Sequence, residues 1–267
     1  PLLINIQSKT KIEHVFNIFN IDTVYHAAAY KHVPLVEENI TESVKNNVFA
    51  TFILAEAALK YNVSNFVLIS SDKAVRSTNI MGATKRLAEI CVQSLYQNQN
   101  KQTKFAIVRF GNVLESSGSV IPKFKQQIKE GGPVTLTHPD VTRYFMTITE
   151  ASQLVIQAGA MAEKCEVFVL DMGESVKIKD LIEKMVNLSG LSIKDDKNLD
   201  GDIEIKITGL RPGEKLYEEL LLGDNPQKTY HEKIQKAQDP FISFSKLKIE
   251  LDYLLNLIEE NEVEDVK

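Results

Sequence analysis

Residues 70–86, SSDKAVRSTNIMGATKR, bring several proton-transferring side chains into one short stretch. Asp72 and Lys73 are adjacent and follow an apolar run, and Lys85 comes later in a segment with helical spacing. A carboxylic acid beside an amine can donate a proton to one substrate atom and remove one from its neighbour. An amine near a ribose can bind its hydroxyl groups and lower the pKa of a nearby hydroxyl group. The stretch therefore predicts acid–base chemistry beside a redox cofactor.

Each of these features also has a simpler interpretation. Asp72 could cap a helix N-terminus, with Lys73 on the surface. Lys85 could be a solvated lysine, and its spacing alone does not decide. Lys85 is expected in the first turn of its predicted helix, where the helix dipole adds to its acidifying effect on a nearby hydroxyl group. The catalytic interpretation of Asp72-Lys73 is favoured because Ser70, Ser71 and Lys85 belong to the same stretch.

Strand and helix patterns alternate around this stretch. Short apolar runs predict strands at residues 22–29, 65–70 and 104–110, and helical spacing predicts helices at 44–61 and 83–97. Such alternation is typical of an α/β fold with a Rossmann-like parallel sheet. Chemistry in these sheets gathers beyond the carboxyl ends of the strands. These ends are predicted to hold Ala28-Ala29, Ser70-Ser71-Asp72-Lys73 and Gly111-Asn112.

The second half of the chain predicts a smaller α/β lobe. Its predicted elements are helices at 119–130, 178–188 and 247–258 and strands at 167–170 and 203–208. We expect residues 1–112 to form a partial dinucleotide-binding domain. Residues 113–267 are expected to form mainly a substrate-binding lobe, with some return to the sheet. The acidic end of the chain is expected to be frayed.

Composition restricts the class of partner. The net charge of −5 argues against a general nucleic-acid binder, because phosphate binding needs a basic surface. The two cysteines are too few for a disulfide framework or a zinc site, and His26, His32 and His138 lack ligand spacing. No apolar run approaches a bilayer-spanning length. We therefore expect no metal site and a cytoplasmic location.

Two arginines could bind phosphate. Arg211 begins the turn RPGEK, and Arg143 lies in HPDVTRY at residues 138–144. A guanidinium on a rigid turn suits bidentate contact with a phosphate group. Both arginines could instead be surface charges of turns.

Motifs along the chain together resemble a known family. In order they are HAAAYKHVP (26–34), EEN (37–39), NNV (46–48), SSDKA (70–74), NIMGATKR (79–86), RFGNV (109–113), SVI (119–121), RYFMT (143–147) and LRPGEK (210–215). They closely resemble the CapD-like polysaccharide biosynthesis proteins, nucleotide-sugar 4,6-dehydratases of the extended short-chain dehydrogenase/reductase superfamily. The resemblance covers about residues 4–217.

This resemblance implies a reaction. A UDP-N-acetylhexosamine, UDP-N-acetylglucosamine first of all, would lose water and give a 4-keto-6-deoxy sugar for a bacterial surface polysaccharide or another glycan. Tightly bound NAD or NADP would take hydride from C4 and return it to C6. Between these steps a base removes the C5 proton and an acid helps the C6 hydroxyl leave.

The resemblance also implies residue roles. Asp72 would be the acid, Lys73 the base and Lys85 the group that holds the nicotinamide ribose, with Ser71 near the reacting hydroxyl. The residues expected to line the cofactor, besides Lys85, are Ala27, Ala28, Asn47 and Ser70. The residues expected to face or hold the sugar nucleotide are Lys31, His32, Asn112, Ser119, Val120, Arg143 and Arg211.

The sequence departs from the family pattern at three places. Met81 occupies the catalytic position where the superfamily has tyrosine, and a thioether cannot transfer a proton. Our hypothesis is that Lys73 or Asp72 takes over the C4 hydroxyl proton. Ser117 stands where relatives have arginine, so one contact to the sugar nucleotide is in doubt.

The third departure is that the chain contains no Gly-x-x-Gly-x-x-Gly, the turn on which a dinucleotide pyrophosphate binds. We therefore expect a C-terminal part of a longer enzyme that, by itself, binds dinucleotide weakly and is inactive. Submicromolar affinity of the isolated chain for NAD⁺ would contradict this.

Two other functions remain open. A nucleotide-sugar epimerase would oxidise and reduce the sugar without losing water, and a non-catalytic sugar-nucleotide-binding module would explain Met81. The Asp72-Lys73 pair favours the dehydratase, because a simple 4-epimerase needs no acid–base pair for C5 and C6. The resemblance also implies a homo-oligomer formed through helices 44–61 and 83–97. In long relatives, membrane helices lie upstream and place the enzyme on the cytoplasmic face of the inner membrane.

Overall fold

The computed structural model describes residues 1–98, 103–116, 118–221 and 226–267. Within those ranges every helix is too short or too polar to span a bilayer. The α-helices of the described residues are α1 (Lys9–Ile18), α2 (Val33–Glu38), α3 (Ile40–Val44), α4 (Ala50–Lys60), α5 (Ile80–Asn98), α6 (Val120–Lys129), α7 (Ile148–Met161), α8 (Ile178–Leu188), α9 (Phe244–Glu259) and α10 (Val263–Val266).

Two helical turns are not α-helical: one is wider and one is tighter than an α-helix. A π-helical turn spans Lys45–Phe49, and a 3₁₀ turn spans Asp72–Ala74. The strands are β1 (Thr23–His26), β2 (Asn65–Ile69), β3 (Lys104–Arg109), β4 (Asn112–Val113), β5 (Val134–Leu136), β6 (Thr142–Arg143), β7 (Phe145–Met146), β8 (Cys165–Leu170), β9 (Val176–Lys177), β10 (Ile193–Lys194), β11 (Ile203–Ile207), β12 (Gln227–Lys228) and β13 (Ile234–Ala237).

The chain divides into two compact units. The first contains Pro1–Phe110, Leu154–Asp171 and Glu219–Lys267, and the second contains Gly111–Gln153 and Met172–Glu218. The division between Phe110 and Gly111 falls within two residues of the boundary expected from the sequence. The role of the second unit in substrate binding stays a prediction.

The first unit contains a six-stranded sheet in the order β1-β2-β3-β8-β13-β12. Strands β1, β2, β3 and β8 are parallel, with Phe66 opposite both Val24 and Phe105. The sheet confirms the predicted α/β class with a largely parallel, Rossmann-like arrangement. Strands β12 and β13 were not predicted, and both pair in the antiparallel direction.

Apolar side chains of the central strands form the core of the first unit. Phe66, Leu68, Phe105 and Ile107 are fully buried and pack against helical residues that include Ala58. Strands covered on both faces need continuous apolar runs, which is why NFVLI and KFAIVR could be recognised. Each such side chain stabilises the fold by roughly 1.5–3 kcal/mol through burial.

The predicted helix at 44–61 is a composite of three elements. Helix α3 passes into the π-helical turn and then into α4. Thr51 Oγ1 donates to the Asn47 carbonyl oxygen at 2.7 Å inside this segment. A π turn contains one extra residue, which shifts the side chains that follow it around the helix axis. The turn contains Asn47, whose side chain is buried.

Helix α5 begins earlier than the sequence indicated. Asn79 Oδ1 accepts a hydrogen bond from the Gly82 amide at 2.8 Å, as an N-cap residue does. Glu37 Oε1 accepts from the Ile80 amide at 2.6 Å. The prediction that Lys85 lies in the first turn was therefore wrong, because the helix starts at Ile80 and Lys85 lies in the second turn.

The C-terminal residues pack on the first unit. Leu247 and Leu251 of α9 form an apolar cluster with Cys91 of α5, and Val263 of α10 packs against it. The acidic end was expected to be frayed, and this was wrong, because apolar residues of α10 have partners in the cluster. Part of the surface of α5 is thus covered by the chain's own helix α9, and the homo-oligomer expected through helices 44–61 and 83–97 stays a prediction.

The second unit has a core of its own. Strands β10, β11 and β5 form a three-stranded parallel sheet. Phe124 of α6 and Ile182 of α8 are buried against Val134 and Ile203 of that sheet. Helix α8 has the predicted bounds, because its apolar residues recur at helical spacing and mark one face.

Candidate functional site

The adjacent acid and amine lie just beyond the carboxyl end of β2. Asp72 is fully buried, and its Oδ1 accepts from Ser71 Oγ at 2.8 Å and from Lys73 Nζ at 3.0 Å. Asp72 Oδ2 is buried and has no hydrogen-bond partner among the described residues. Buried carboxylate oxygens are normally satisfied, so this exception requires an explanation, of which a catalytic role is one.

The alternative role of Asp72 as a helix cap does not apply. Ser71 caps the 3₁₀ turn, since its Oγ accepts from the Lys73 amide at 3.3 Å. The Asp72 amide donates to the Phe110 carbonyl oxygen at 3.1 Å, which connects the turn to the end of β3. The Asp72 carboxylate is therefore not used for helix capping.

Lys85 meets the same strand end. Its Nζ donates to the carbonyl oxygen of Ile69, the last residue of β2, at 2.5 Å. Burial lowers the pKa of Lys85 to about 8, although the charge of Glu89 acts in the opposite direction. This environment excludes the interpretation of Lys85 as a solvated surface lysine. Asp72, Lys73 and Lys85 are thus brought together at the carboxyl end of β2.

Gly82 allows α5 to approach the 3₁₀ turn. A Cβ atom at this position would lie 2.1 Å from the Lys73 carbonyl oxygen, well inside contact distance. The same carbonyl accepts from Ser77 Oγ at 3.0 Å. Sequence reasoning missed this role. The signal was a glycine near the start of a helix, where glycine is unfavourable unless something requires it.

Met81 lies beside Gly82 and is buried. Its carbonyl oxygen accepts from Thr84 Oγ1 at 2.8 Å. A thioether offers no acidic proton, so Met81 contributes packing at the position where the superfamily has tyrosine. Which group replaces that tyrosine stays a hypothesis.

Asn47 fixes the loop that follows β1. Its Oδ1 accepts from the Tyr30 amide at 2.8 Å, and its Nδ2 donates to the Tyr30 carbonyl at 2.9 Å and to Thr84 Oγ1 at 3.1 Å. The Asn47 amide group is therefore occupied in holding this loop against α5. Four other residues expected at the site lie exposed in the loop after β1, namely Ala27, Ala28, Lys31 and His32.

His26 is a further buried polar residue that sequence reasoning did not place. It ends β1, and its Nε2 lies 2.8 Å from Thr51 Oγ1. Because the Thr51 hydroxyl donates to Asn47, His26 Nε2 is the donor in this contact. Burial lowers the pKa of His26 to about 4, with the charge of Lys85 as a second cause. His26 is therefore a neutral structural donor.

Ser70, expected to line the cofactor, directs its hydroxyl elsewhere. It is buried, and its Oγ donates to Glu89 Oε1 at 2.6 Å. Burial alone would raise the pKa of Glu89, but hydrogen bonds and charge from Arg109, followed by Ser70 and Arg86, hold it below its usual value. Ser70 thus joins the strand end to a buried carboxylate of α5.

The second unit contains an open pocket of about 880 Å³. All five residues of this unit that were expected to hold the sugar nucleotide line it, namely Asn112, Ser119, Val120, Arg143 and Arg211. Asn112 Oδ1 and Ser119 Oγ are buried and have no hydrogen-bond partner among the described residues. Ser119 precedes α6 without capping it through its side chain. Their residues line the pocket, and the described residues leave these two atoms without the partner that a buried polar atom normally has. Ser117, the second departure from the family pattern, lies outside the described residues.

The two arginines of this pocket differ. The Arg143 guanidinium is mostly buried, donates to the Thr142 carbonyl at 2.7 Å and to Glu214 Oε1 at 3.2 Å, and lies 3.8 Å from Glu218. Carboxylates of the protein already balance its charge. Arg211 is exposed, and its backbone amide donates to Glu214 Oε2 at 3.1 Å. Arg211 is therefore the more accessible guanidinium.

Comparison with known proteins identifies relatives over most of the chain. The chain is 55% identical over 240 residues to the capsular polysaccharide biosynthesis protein CapD of Staphylococcus aureus, covering 89% of this chain and 39% of CapD. It is 34% identical to the UDP-glucose 4-epimerase of Rickettsia canadensis, covering 78% of this chain and 58% of that protein. It is 33% identical to the UDP-N-acetylglucosamine 4,6-dehydratase (inverting) of Campylobacter jejuni, covering 84% and 64%.

A solved structure shares the fold. The X-ray structure of Pen from Bacillus thuringiensis matches with a TM-score of 0.74 and 39% identity, over 82% of this chain and 66% of that chain. The chain spans about two fifths of the length of CapD and less than two thirds of the other two relatives. A family model described as "Polysaccharide biosynthesis protein" matches residues 1–239. These findings confirm the family expected from the motifs: the chain belongs to the polysaccharide biosynthesis proteins.

Proposed function

We propose that the chain carries the acid–base site of a nucleotide-sugar 4,6-dehydratase that acts with a nicotinamide dinucleotide on a UDP-N-acetylhexosamine. The observation that carries the proposal is the contact between Lys73 Nζ and Asp72 Oδ1 at the end of β2, with Asp72 Oδ2 buried and accepting no hydrogen bond from the part of the chain that the structure describes. Family membership and the similarity to the Campylobacter jejuni dehydratase support it.

The Asp72–Lys73 contact suits an elimination. An ion pair and a neutral acid–amine pair differ only by the position of one proton along the 3.0 Å contact. In the neutral form, the Lys73 amine takes the C5 proton of the sugar, and the Asp72 carboxylic acid protonates the C6 hydroxyl, which leaves as water. After that step Lys73 is an ammonium and Asp72 a carboxylate. The pair returns to its neutral form when the proton moves from Lys73 to Asp72.

The residues around β1 and β2 fit the nicotinamide end of a dinucleotide. Ala27 and Ala28 present small exposed side chains, and the Lys85 amine lies at the neighbouring strand end. Lys85 would hold the ribose hydroxyl groups of the cofactor. When bound, a nicotinamide supplies a reversible acceptor for the hydride of the sugar C4. Ser71 Oγ and Lys73 lie on the same turn, and we assign the C4 hydroxyl proton to Lys73 or Asp72 because Met81 cannot take it.

The pocket of the second unit would bind the nucleotide part of the substrate. Asn112 Oδ1 accepts and Ser119 Oγ donates or accepts, so both suit a uracil or ribose. Arg211 presents an exposed guanidinium to a diphosphate, and the N-terminus of α6 adds a favourable dipole for an anion. Arg143 would orient the pocket through Glu214 more than it would neutralise phosphate, since its own charge is balanced.

A nucleotide-sugar epimerase is the second candidate. The similarity to the Rickettsia canadensis epimerase is as high as that to the dehydratase, and this favours keeping it. A 4-epimerase transfers only the proton of the C4 hydroxyl group and the hydride of C4. The acid–amine pair is therefore the feature that separates the two, because only dehydration uses an acid at C6 and a base at C5.

Incubation of the full-length protein with UDP-N-acetylglucosamine and NAD⁺ tests the proposal. We expect a product that has lost one water. When the reaction is run in D2O, this product should carry deuterium from the solvent at C5. Lys73→Ala should reduce its formation by at least about 100-fold. Lys9→Ala, at an exposed ion pair on α1, is the matched control and should leave it unchanged. A product of unchanged mass would indicate the epimerase, and full activity of Lys73→Ala would remove Lys73 from the mechanism.

A further inference from the structure

Glu89 is a buried carboxylate of α5, one helical turn after Lys85. Its Oε1 accepts from Ser70 Oγ at 2.6 Å and from Arg109 Nε at 2.7 Å. Its Oε2 accepts from Arg109 Nη2 at 2.5 Å and from Arg86 Nη1 at 2.8 Å. Both oxygens are thus satisfied by donors from the end of β2, from β3 and from α5 itself.

A segment distant in the sequence completes this cluster. Asp239, two residues after β13, accepts from Arg109 Nη2, and its Oδ2 lies 3.6 Å from Arg86 Nη1. The Pro240 carbonyl accepts from Arg86 Nη2 at 2.6 Å. Two acids and two arginines therefore balance each other in the interior of the first unit. Removing one member of such a buried cluster leaves the others without a partner.

The cluster around Glu89 affects how far Asp72 and Lys73 lie from Lys85. Two side-chain hydrogen bonds join the end of β2 to α5: Ser70 Oγ to Glu89, and Lys85 Nζ to the Ile69 carbonyl. Asp72 and Lys73 follow Ser70 directly in the chain. Where they stand relative to Lys85 therefore depends on the bond to Glu89.

We propose that Glu89 is a positioning residue, which holds the strand end bearing Asp72 and Lys73 against the helix bearing Lys85 and places a carboxylate one helical turn from Lys85. The catalytic meaning of this rests on the proposed function, whereas the contacts themselves do not. The negative charge of Glu89 raises the pKa of Lys85 against the effect of burial.

Other charged groups surround this part of α5 and set the background for any titration. The elements that contact α5, together with β1, carry charged or titratable groups that include His26 of β1, Glu37 and Glu38 of α2, Glu42 of α3, Lys45 of the π turn, Glu56 and Lys60 of α4, Asp72 and Lys73 of the 3₁₀ turn, Lys104 and Arg109 of β3, Glu166 of β8 and Lys246, Lys248, Glu250, Asp252 and Glu259 of α9. Glu42 pairs with Lys45, Glu56 with Lys9, and Glu166 with Lys236, so these are occupied elsewhere.

The first test measures Lys85 directly in the folded chain. Trace acetylation with acetic anhydride at a series of pH values, read by peptide mass spectrometry, gives the pH at which each lysine becomes reactive. Glu89→Gln keeps the side-chain volume and removes the charge, so the Lys85 midpoint should fall by about one pH unit. Glu56→Gln, the same change at a half-buried carboxylate of α4 that pairs with Lys9, should leave the Lys85 midpoint in place. An unchanged midpoint in folded Glu89→Gln overturns the proposal.

The second test measures position without altering any charge. Ser70→Ala removes only the hydroxyl that donates to Glu89, and it covers the case in which Glu89→Gln does not fold. Hydrogen exchange of the Asp72, Ala74 and Val75 amides should become about tenfold faster, since the strand end that carries the turn loses one of its hydrogen bonds to α5. Ser152→Ala on α7 is the matched control. Unchanged exchange in Ser70→Ala contradicts the positioning role.

Neither readout requires substrate or cofactor. If the full-length protein fails to dehydrate a sugar nucleotide while both measurements succeed, the proposed function is wrong and the positioning of Lys85 by Glu89 stands. If dehydration occurs but both measurements are negative, the proposed function stands and the positioning role of Glu89 is wrong.

Discussion

Asp72 combines full burial with a carboxylate oxygen that accepts no hydrogen bond from the described residues. Its other oxygen holds Ser71 and Lys73. Asp72→Asn keeps the shape and an oxygen acceptor but removes the acid, so dehydration by the full-length protein should fall between about 100-fold and 10,000-fold. Thermal unfolding should change little. Asp140→Asn, at an exposed ion pair, is the control. Near-normal turnover of Asp72→Asn would exclude Asp72 as the acid.

The second prediction about a single residue concerns Lys85 and the way the free energy of unfolding depends on pH. Burial lowers its pKa from 10.5 to about 8 in the folded chain, so between these values the unfolded chain binds more protons. The free energy of unfolding therefore gains a contribution that rises with pH across this window and is absent below it. Lys85→Met should abolish this rise, and Lys9→Met should retain it. Urea unfolding at about pH 8 and about pH 10 measures the difference. An equal rise in Lys85→Met would show that Lys85 is not buried as an amine.

Among the elements, the contact between α5 and the 3₁₀ turn is set by Gly82. Alanine favours a helix over glycine by about 1 kcal/mol, so propensity alone predicts that Gly82→Ala stabilises the chain. The Cβ would lie 2.1 Å from the Lys73 carbonyl, and we expect a net loss of about 2 kcal/mol or more together with displacement of the turn. Ala83→Gly, the inverse change at the exposed neighbour, should cost only the propensity. Denaturant unfolding of both variants decides, and a stabilised Gly82→Ala would refute the close approach.

Elements were predictable where their patterns are local. Strand β3 and helix α8 could be located from a continuous apolar run and from one apolar face. Helix α7 has the same helical spacing, with Ala151, Leu154 and Ala158 buried, and could have been found. Strands β12 and β13 are short and largely polar, so their pairing depends on contacts with β8 that no local pattern encodes.

The residues of the candidate site, too, could be predicted only where the signal is local in the sequence. The Asp72-Lys73 pair could be found because adjacent residues at a strand end carry the signal. Glu89 could not, because its meaning comes from Arg109 in another strand and Asp239 near the far end of the sequence. The π-helical turn that presents Asn47 has no recognisable sequence pattern either.

Across the whole molecule, the acid–amine pair lies in one unit and the pocket for the nucleotide in the other. Binding and chemistry should therefore separate in variants. Ser119→Ala removes a buried hydroxyl that has no hydrogen-bond partner among the described residues, so it should weaken the affinity for UDP about three- to tenfold without destabilising the chain. Asp72→Asn should leave that affinity unchanged, as should the control Ser152→Ala. Calorimetric titration with UDP measures all three. An unaltered affinity in Ser119→Ala would contradict the assignment of this pocket to the nucleotide, because the described residues leave that hydroxyl without a hydrogen-bond partner.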